Sequence, residues 1–344
     1  MQRVYHMLEP QDWHAACSKG YYEAASLKSE KFIHFSHLNQ VERVANLFYQ
    51  NLEQMLLLEV DPTLCSAKWI EEDSEGTGEL FPHLYGVLEV SAVKRIHQLI
   101  KKTKEWSLPE VLTPKTVQYK QLVLFDIDST ILIGSQTHKE AFQLSMKEYF
   151  DMEGSMRGIP VHGCTDPNIA REFLKVHGAK HSEVEAGLPE FLNGIVRHFL
   201  KLGPDPDSQL MPESRKCIEY LYDMGILLGL VTGNLETIGW QKLMQHKLDT
   251  YFTFGAFASD HSERPHMVKL ALNHAQEKYK ISPNNVLLVG DSIYDVEAAL
   301  LNKIEVLAVC TGKHTATELK TQGATNIEQN LSTEIFDALL TKIG

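Results

Sequence analysis

The sequence holds little that would take it into a membrane, an oxidising compartment or a nucleic-acid groove. No apolar run in its 344 residues approaches the roughly 18 to 20 that a membrane span needs. The opening stretch, MQRVYHMLEPQDW, has no apolar core and no secretory-signal character. Cysteine is scarce. Cys17, Cys65, Cys164, Cys217 and Cys310 are scattered, with no CxxC pair. An odd, unpatterned set supplies no disulfide framework and fits reduced thiols in a cytoplasm. Basic charge is in deficit: 33 Lys and Arg face 45 Asp and Glu, a net charge of −12. That argues against nucleic acid as a partner and gives no reason to expect an anionic membrane surface. Internal repeats and low-complexity tracts are also lacking.

What is present is a soluble-type composition on a chain longer than one core usually serves, so two domains are expected. Residues 1–98 mix short strands (RVYHML, KFIHFS, MLLLEV, LYGVLEV) with a helical pattern in QVERVANLFYQNL and a loop at 73–78, DSEGTG. This reads as a small α+β domain. Residues 99–120, rich in Lys and Thr with two prolines, read as a linker. From 121 to 344 the pattern alternates. LVLFDI, ILLGLVTG, NVLLVGD and EVLAVCTG are apolar strands, separated by amphipathic stretches such as LETIGWQKLMQH and MVKLALNHAQEKY. Such alternation predicts an α/β fold with a parallel sheet. About 75 helix-patterned residues, roughly 135–210, interrupt it after the first strand. They are too many for one crossover and read as an inserted helical cap.

Each core strand ends in polar residues. Asp126 and Asp128 follow the first, Thr232, Gly233 and Asn234 the second, and Asp291, with Asp295 a turn later, another. Ligands of open parallel sheets bind beyond the carboxyl ends of the strands, so these carboxylates would converge on one rim. Unpaired, they would repel. A hard divalent cation with oxygen ligands removes the repulsion, and Mg²⁺ is the usual one where phosphate also binds.

FDIDST (125–130), LVTGN (230–234) and GDSIYD (290–295) resemble, in order, the first, second and fourth motifs of the haloacid-dehalogenase-like superfamily, over residues 120–340. The resemblance implies a Rossmann-like core and phosphoester hydrolysis in which Asp126 forms an aspartyl-phosphate and Asp128 serves as acid, then base. Mg²⁺ would be held by Asp126, the Asp128 carbonyl and Asp291, with Asp295 supporting, and Thr232, Gly233 and Asn234 would hold phosphate oxygens. For the third-motif cation, usually Lys before Pro, Arg264 is favoured, because it precedes Pro265 and the helix, where a loop cation can reach the rim; Lys269, also a candidate phosphate contact, is the alternative. Ser129 stands where many relatives have Gly. An acid at 128 favours phosphatase or phosphomutase over dehalogenase. The cap resembles that of the phosphoglycolate-phosphatase-like branch. GCTDP (163–167) would put Thr165 and Asp166 near substrate or cap a helix, and Arg157 and His162 are further polar positions. The implied substrate is a small phosphorylated metabolite.

In the first domain His6, His34 and His83 lie in apolar strand contexts. Buried, hydrogen-bonded histidine is the ordinary outcome there, and the spacing supports no joint metal site. With Trp13, Gln40 and GELFPHLYG, residues 3–95 resemble an uncharacterised bacterial family, domain of unknown function 952. Its association with an ADP-ribosyltransferase-like fold implies that His34, Ser36, His83 and Tyr85 line a nucleotide or NAD-like pocket. The chain would then be a nucleotide- or ADP-ribosyl-handling module whose product the second domain processes.

Overall fold

A computed structural model describes residues 3–343 other than 75, 77, 104 and 114–117. The expected loop at 73–78 lies partly outside the described residues. The chain divides into two compact units: Met1–Thr113 with Val196–Gly203, and Pro114–Ile195 with Pro204–Gly344.

The first unit is α+β. Strands Val4–Leu8, Leu56–Val60 and Val93–Gln98 form one antiparallel sheet with Leu56–Val60 central, and Ile33–His34, Phe81–Tyr85 and Lys68–Glu72 form another. Helix Leu38–Phe48 turns Val41 and Ala45 into a core shared with Tyr5, Met7, Leu57 and Trp106. The first part of the linker expected over 99–120 is folded into this unit, and the division between the units falls within its remainder. Ile100–Lys102 and Glu105–Ser107 pair as an antiparallel hairpin. Trp106 is buried, and its indole Nε1 donates to the Tyr49 carbonyl at 2.9 Å. One large aromatic ring outweighs the charged residues around it, because burying such a ring stabilises by roughly 1.5–3 kcal/mol.

The second unit is built on six parallel strands: β1 (Leu122–Phe125), β2 (Leu227–Thr232), β3 (Phe254–Phe257), β4 (Val286–Gly290), β5 (Glu305–Val309) and β6 (Asn326–Glu328). Their order is β3-β2-β1-β4-β5-β6. Every residue of β1, β2 and β4 is buried, because apolar layers cover both faces. Val123, Phe125, Leu287 and Val289 face one layer; Leu122, Leu124, Val286 and Leu288 face the other. The edge strands β3 and β6 were not anticipated. The order reverses at β1, which places a crevice beyond its carboxyl end.

Helices α1 (Gln136–Phe150), α2 (Asp166–Val176) and α3 (His181–Leu202) form the insertion. Its two connecting chains are held side by side: Leu132–Ile133 pairs antiparallel with Gln209–Leu210. Gly134, at φ +102°, lets them close up, since a Cβ there would sit 2.6 Å from the Asp207 carbonyl. The remaining helices that matter for the site are α4 (Ser214–Asp223), α5 (Glu236–Gln245), α6 (Arg264–His274) and α7 (Ile293–Leu301).

Candidate active site

β1 ends at Phe125, so the next residue leaves the sheet at the switch point. The Asp126 amide still donates to the Val289 carbonyl at 2.9 Å, which fixes where its side chain begins. The chain then turns sharply. The amides of Thr130, Ile131 and Leu132 all point to the Ile127 carbonyl, and Ser129 takes φ +62°. That angle favours glycine, so Ser129 carries local strain of about 1 kcal/mol that was not foreseen from its small size.

Three carboxylates meet here. Asp126, Asp291 and Asp295 are buried, with one oxygen from each lying within 4.8 Å of the others. The Arg264 guanidinium, at the start of α6, reaches Asp126 Oδ2 at 3.3 Å and Asp295 Oδ1 at 2.6 Å. Asp295 Oδ2 closes a capping box with the amide and hydroxyl of Ser292, at 3.0 and 2.6 Å. Both Asp295 oxygens therefore already have partners. Asp126 and Asp291 are less well compensated. Burial pushes the Asp126 carboxyl up to about 7: Arg264 opposes this, while Asp295 and Asp128 add to it. Burial, then Asp295 and Asp126, push Asp291 up to about 8, against Arg264. An all-oxygen, negatively charged set of this kind fits a hard divalent cation. Gly312 is required beside it, since a Cβ there would lie 1.7 Å from Asp291 Oδ2.

Asp128 stands apart from that trio. Its side chain is 42% exposed, and Lys242 Nζ on α5 donates to both of its oxygens, at 2.8 and 2.9 Å. Asn234 Nδ2 donates to Oδ2 at 2.7 Å. Burial works against ionisation, but the Lys242 charge and the hydrogen bonds from Lys242 and Asn234 outweigh it and hold this carboxyl below the usual range. Thr232, the last residue of β2, is buried, and its Oγ accepts from Asn234 Nδ2 at 2.8 Å. Its own O–H is left to donate.

These groups line a cavity of about 300 Å³. Asp126, Asp128, Thr232, Gly233, Asn234, Arg264 and Asp291 all face it. Lys269 does not. It is exposed on α6, while Arg264 occupies the position beside Asp126. The expected phosphate contact from the Asn234 side chain is corrected. Its amide is committed to Asp128 and Thr232, and its oxygen accepts from Lys242 at 2.7 Å.

The cap residues act differently from expectation as well. Thr165 does not line the cavity; its hydroxyl donates to the Ser262 carbonyl at 2.9 Å, and Asn168 Nδ2 donates to the same oxygen at 3.2 Å. Asp166 lines the cavity, but its amide donates to the Gly233 carbonyl and its Oδ2 accepts from the Leu235 amide, both at 2.8 Å. Thr165 and Asp166 thus clasp the insertion onto the loops that follow β2 and precede α6. His138 on α1, which sequence reasoning passed over, also lines the cavity, with Nε2 3.3 Å from Asp166 Oδ2. His162 lines the cavity, whereas Arg157 is exposed away from it. Lys242 was missed too. Its signal was position: it lies four residues after Ile238 and seven after Leu235, on the buried stripe of α5.

In the first unit His34, His83 and Tyr85 do come together. Glu72 Oε1 accepts from Tyr85 Oη at 2.6 Å and pairs with His83 Nδ1 at 3.0 Å. Phe32 stacks on the His83 ring at 4.1 Å, and the His34 ring meets that of His83 edge-on at 5.0 Å. His34 Nε2 pairs with Glu30 at 2.9 Å. Ser36 is elsewhere: it is buried, exchanging both backbone hydrogen bonds with Tyr5. Two small cavities of this unit, about 230 and 80 Å³, are lined by other residues.

A parallel sheet with acidic residues gathered at its switch point defines an α/β enzyme core. The model of the family described as haloacid dehalogenase-like hydrolase matches residues 123–309, over half of the chain, and the chain belongs to that family. Residues 7–96 match a second family, described as protein of unknown function (DUF952). A phosphoglycolate phosphatase of Vibrio vulnificus is 33% identical over 92 residues, which are 27% of this chain and 40% of that protein. The alignment thus spans less than half of that relative's length. A phosphoglycolate phosphatase of Aliivibrio fischeri is 24% identical over 181 residues, 52% of this chain and 79% of that one. Among solved structures, protein CC0527 of Caulobacter crescentus covers 32% of this chain and 98% of its own, at 30% identity and a TM-score of 0.30. A structure from Haemophilus somnus, named a predicted phosphoglycolate phosphatase, covers 65% of this chain and all of its own, at 18% identity and a TM-score of 0.49. Among the described residues, no helix is long and apolar enough to cross a membrane.

Proposed function

We propose that the chain is a Mg²⁺-dependent phosphomonoester hydrolase that acts on a small phosphorylated metabolite through an aspartyl-phosphate. One observation carries the reading. Asp126 lies within reach of Asp291 and beside the Arg264 guanidinium, in a cavity of about 300 Å³ where a further carboxylate, Asp128, is held separately by Lys242. Asp126 Oδ1 accepts from the Ile127 amide at 2.8 Å, which leaves Oδ2 as the attacking oxygen. The P–O bond to the alcohol breaks as the Asp126–phosphorus bond forms. Asp128, ionised before substrate binds, takes up a proton when the negative phosphoryl group beside it raises its proton affinity, gives that proton to the leaving oxygen, and then takes one from the water that hydrolyses the acyl phosphate. Arg264 and the Thr232 hydroxyl stabilise the charge on the phosphoryl oxygens. Asp126, the Asp128 carbonyl and Asp291 would hold Mg²⁺, which supplies further neutralisation of phosphoryl charge. The clasp formed by Thr165 and Asp166 holds the insertion against the loops beside the cavity. The cavity suits a small metabolite, and the net negative charge supports neither nucleic acid nor a membrane as partner. Five free cysteines support a reducing compartment such as the cytoplasm. The test is phosphate release by the full chain across a panel of phosphorylated sugars, acids and nucleotides. No release from any member with Mg²⁺ present would sink the reading.

A second reading concerns the first unit and rests on the convergence of His34, His83 and Tyr85 around Glu72. It makes that unit a binding module for a nucleotide or an NAD-like ligand. Calorimetric titration of the full chain with NAD and ADP-ribose tests it, and the absence of heat at millimolar ligand removes it.

A further inference from the structure

Two carboxylates separated by one residue repel each other, and each must be held in a definite direction to play a distinct part. Arg264 does this for Asp126. For Asp128 the quoted motifs supply one neutral donor, Asn234, and no cation, yet that carboxylate is the more tightly held of the two. Lys242 is 6% exposed, and its ammonium makes three hydrogen bonds: two to the Asp128 oxygens and one to Asn234 Oδ1. Three bonds are all that an ammonium can donate. The Asn234 amide in turn bridges Asp128 Oδ2 and the Thr232 hydroxyl. A buried lysine is costly unless it is fully paired, and here the pairing is complete and faces the cavity.

We propose that Lys242 is a positioning residue of the reaction, acting through Asp128. It pins both carboxylate oxygens, so that Asp128 keeps one orientation toward the leaving group. Through Asn234 it also fixes the rotamer of Thr232, which faces the phosphoryl group. The two members of the DxD pair are thus each restrained by their own cation: Asp126 by Arg264 from α6, and Asp128 by Lys242 from α5. The inference rests on the phosphatase reading above and adds to it a fifth structural element, a lysine on the helix after the second motif.

The experiment is a double-mutant cycle on the full-length protein with Mg²⁺, using an alkyl phosphate found in the panel and p-nitrophenyl phosphate. Lys242→Met should lower kcat about 10- to 100-fold on the alkyl phosphate with KM changed less than about threefold, and should lower it much less on p-nitrophenyl phosphate, whose leaving group needs little help. Lys242→Arg should recover a good part of kcat. In an Asp128→Asn background, Lys242→Met should cost almost nothing more, because a residue that acts through another has nothing left to act on. Lys242→Gln, which keeps a hydrogen-bond donor, serves as the neutral variant if the methionine variant fails to fold. Wild-type kcat in Lys242→Met or Lys242→Gln would overturn the proposal. So would an equal loss on both substrates that persists in the Asp128→Asn background, since that is the mark of a purely structural lysine. A wild-type chain that releases no phosphate from any substrate would instead remove the reading beneath it.

Discussion

Each unit buries a cluster of titratable groups, and the two clusters are balanced in opposite ways. In the first unit the groups answer one another. His97 Nε2 pairs with Glu59 at 3.0 Å, His83 with Glu72 at 3.0 Å, and the buried His6 gives Nδ1 to the His34 carbonyl at 2.7 Å. In the second unit four carboxylates, Asp126, Asp128, Asp291 and Asp295, face two cations, Arg264 and Lys242. In the first arrangement each of these ring nitrogens meets an acceptor within its own unit. The second leaves net negative charge in a buried place, at a cost that folding alone gives no reason to bear. Burial of charge is therefore a weak pointer to function, whereas an uncompensated excess of one sign is a strong one.

The largest expected effect tests that excess at its centre. Asp126→Asn should reduce phosphate release by at least about 10⁴-fold. It should also raise the melting temperature of the metal-free protein, since one of the crowded charges is gone.

Removing metal sharpens the contrast through pH. Asp126 and Asp291 have folded-state values raised to about 7 and about 8. The folded state therefore holds protons that the unfolded chain has released. The stability these groups contribute is full below about pH 4 and is lost as pH rises through 7 to 8. Melting in chelator should show the second unit weakening from pH 5 to pH 8.5. Added Mg²⁺ should restore more at pH 8.5 than at pH 6.

The first unit should do the reverse. Burial holds the His6 imidazole down at about 4, against the hydrogen bond its Nδ1 donates to the His34 carbonyl. Its stabilising contribution is present above about pH 6.5 and is lost as pH falls toward 4, roughly 3 kcal/mol in all. Protection factors for amide exchange at Leu56–Val60, the strand paired with Val4–Leu8, taken against the intrinsic rate at each pH, should fall on acidification over that window, and Mg²⁺ should not prevent it. Metal-sensitive exchange there would break the contrast.

Smaller effects are expected at the clasp and at the turn. Thr165→Val removes one hydrogen bond to the Ser262 carbonyl, worth about 1 kcal/mol, and should raise KM a few-fold with a smaller change in kcat. Ser129→Gly relieves a positive φ and should raise stability by no more than about 1 kcal/mol, without loss of activity.

The contrast also explains what could be read from the chain alone. The central strands were legible because they are continuous apolar runs that stop at acidic or hydroxyl residues, and the stops were the site. The edge strands were not. Phe254–Phe257 is four residues long with a glycine, and Asn326–Glu328 is three residues, two of them polar. Trp106 was hidden among lysines and a glutamate, where composition suggested a linker and a single aromatic ring decided otherwise. Arg264 was favoured over Lys269 for its place at the head of the helix, and the structure puts it beside Asp126 while Lys269 lies exposed on another face. Lys242 was concealed by the ordinary expectation that a lysine on an amphipathic helix meets solvent. The clasp made by Thr165 and Asp166 depends on two loops far apart in sequence, which no local pattern reports.

The most direct measurement traps the intermediate. The full-length protein is mixed with a substrate and Mg²⁺, quenched during turnover and reduced with borohydride, which converts a phosphorylated aspartate to homoserine. Peptide mass spectrometry then locates the change. The account expects homoserine at position 126 and nowhere else, dependent on substrate. Steady phosphate release with position 126 unaltered, or with the modification on another residue, would contradict it.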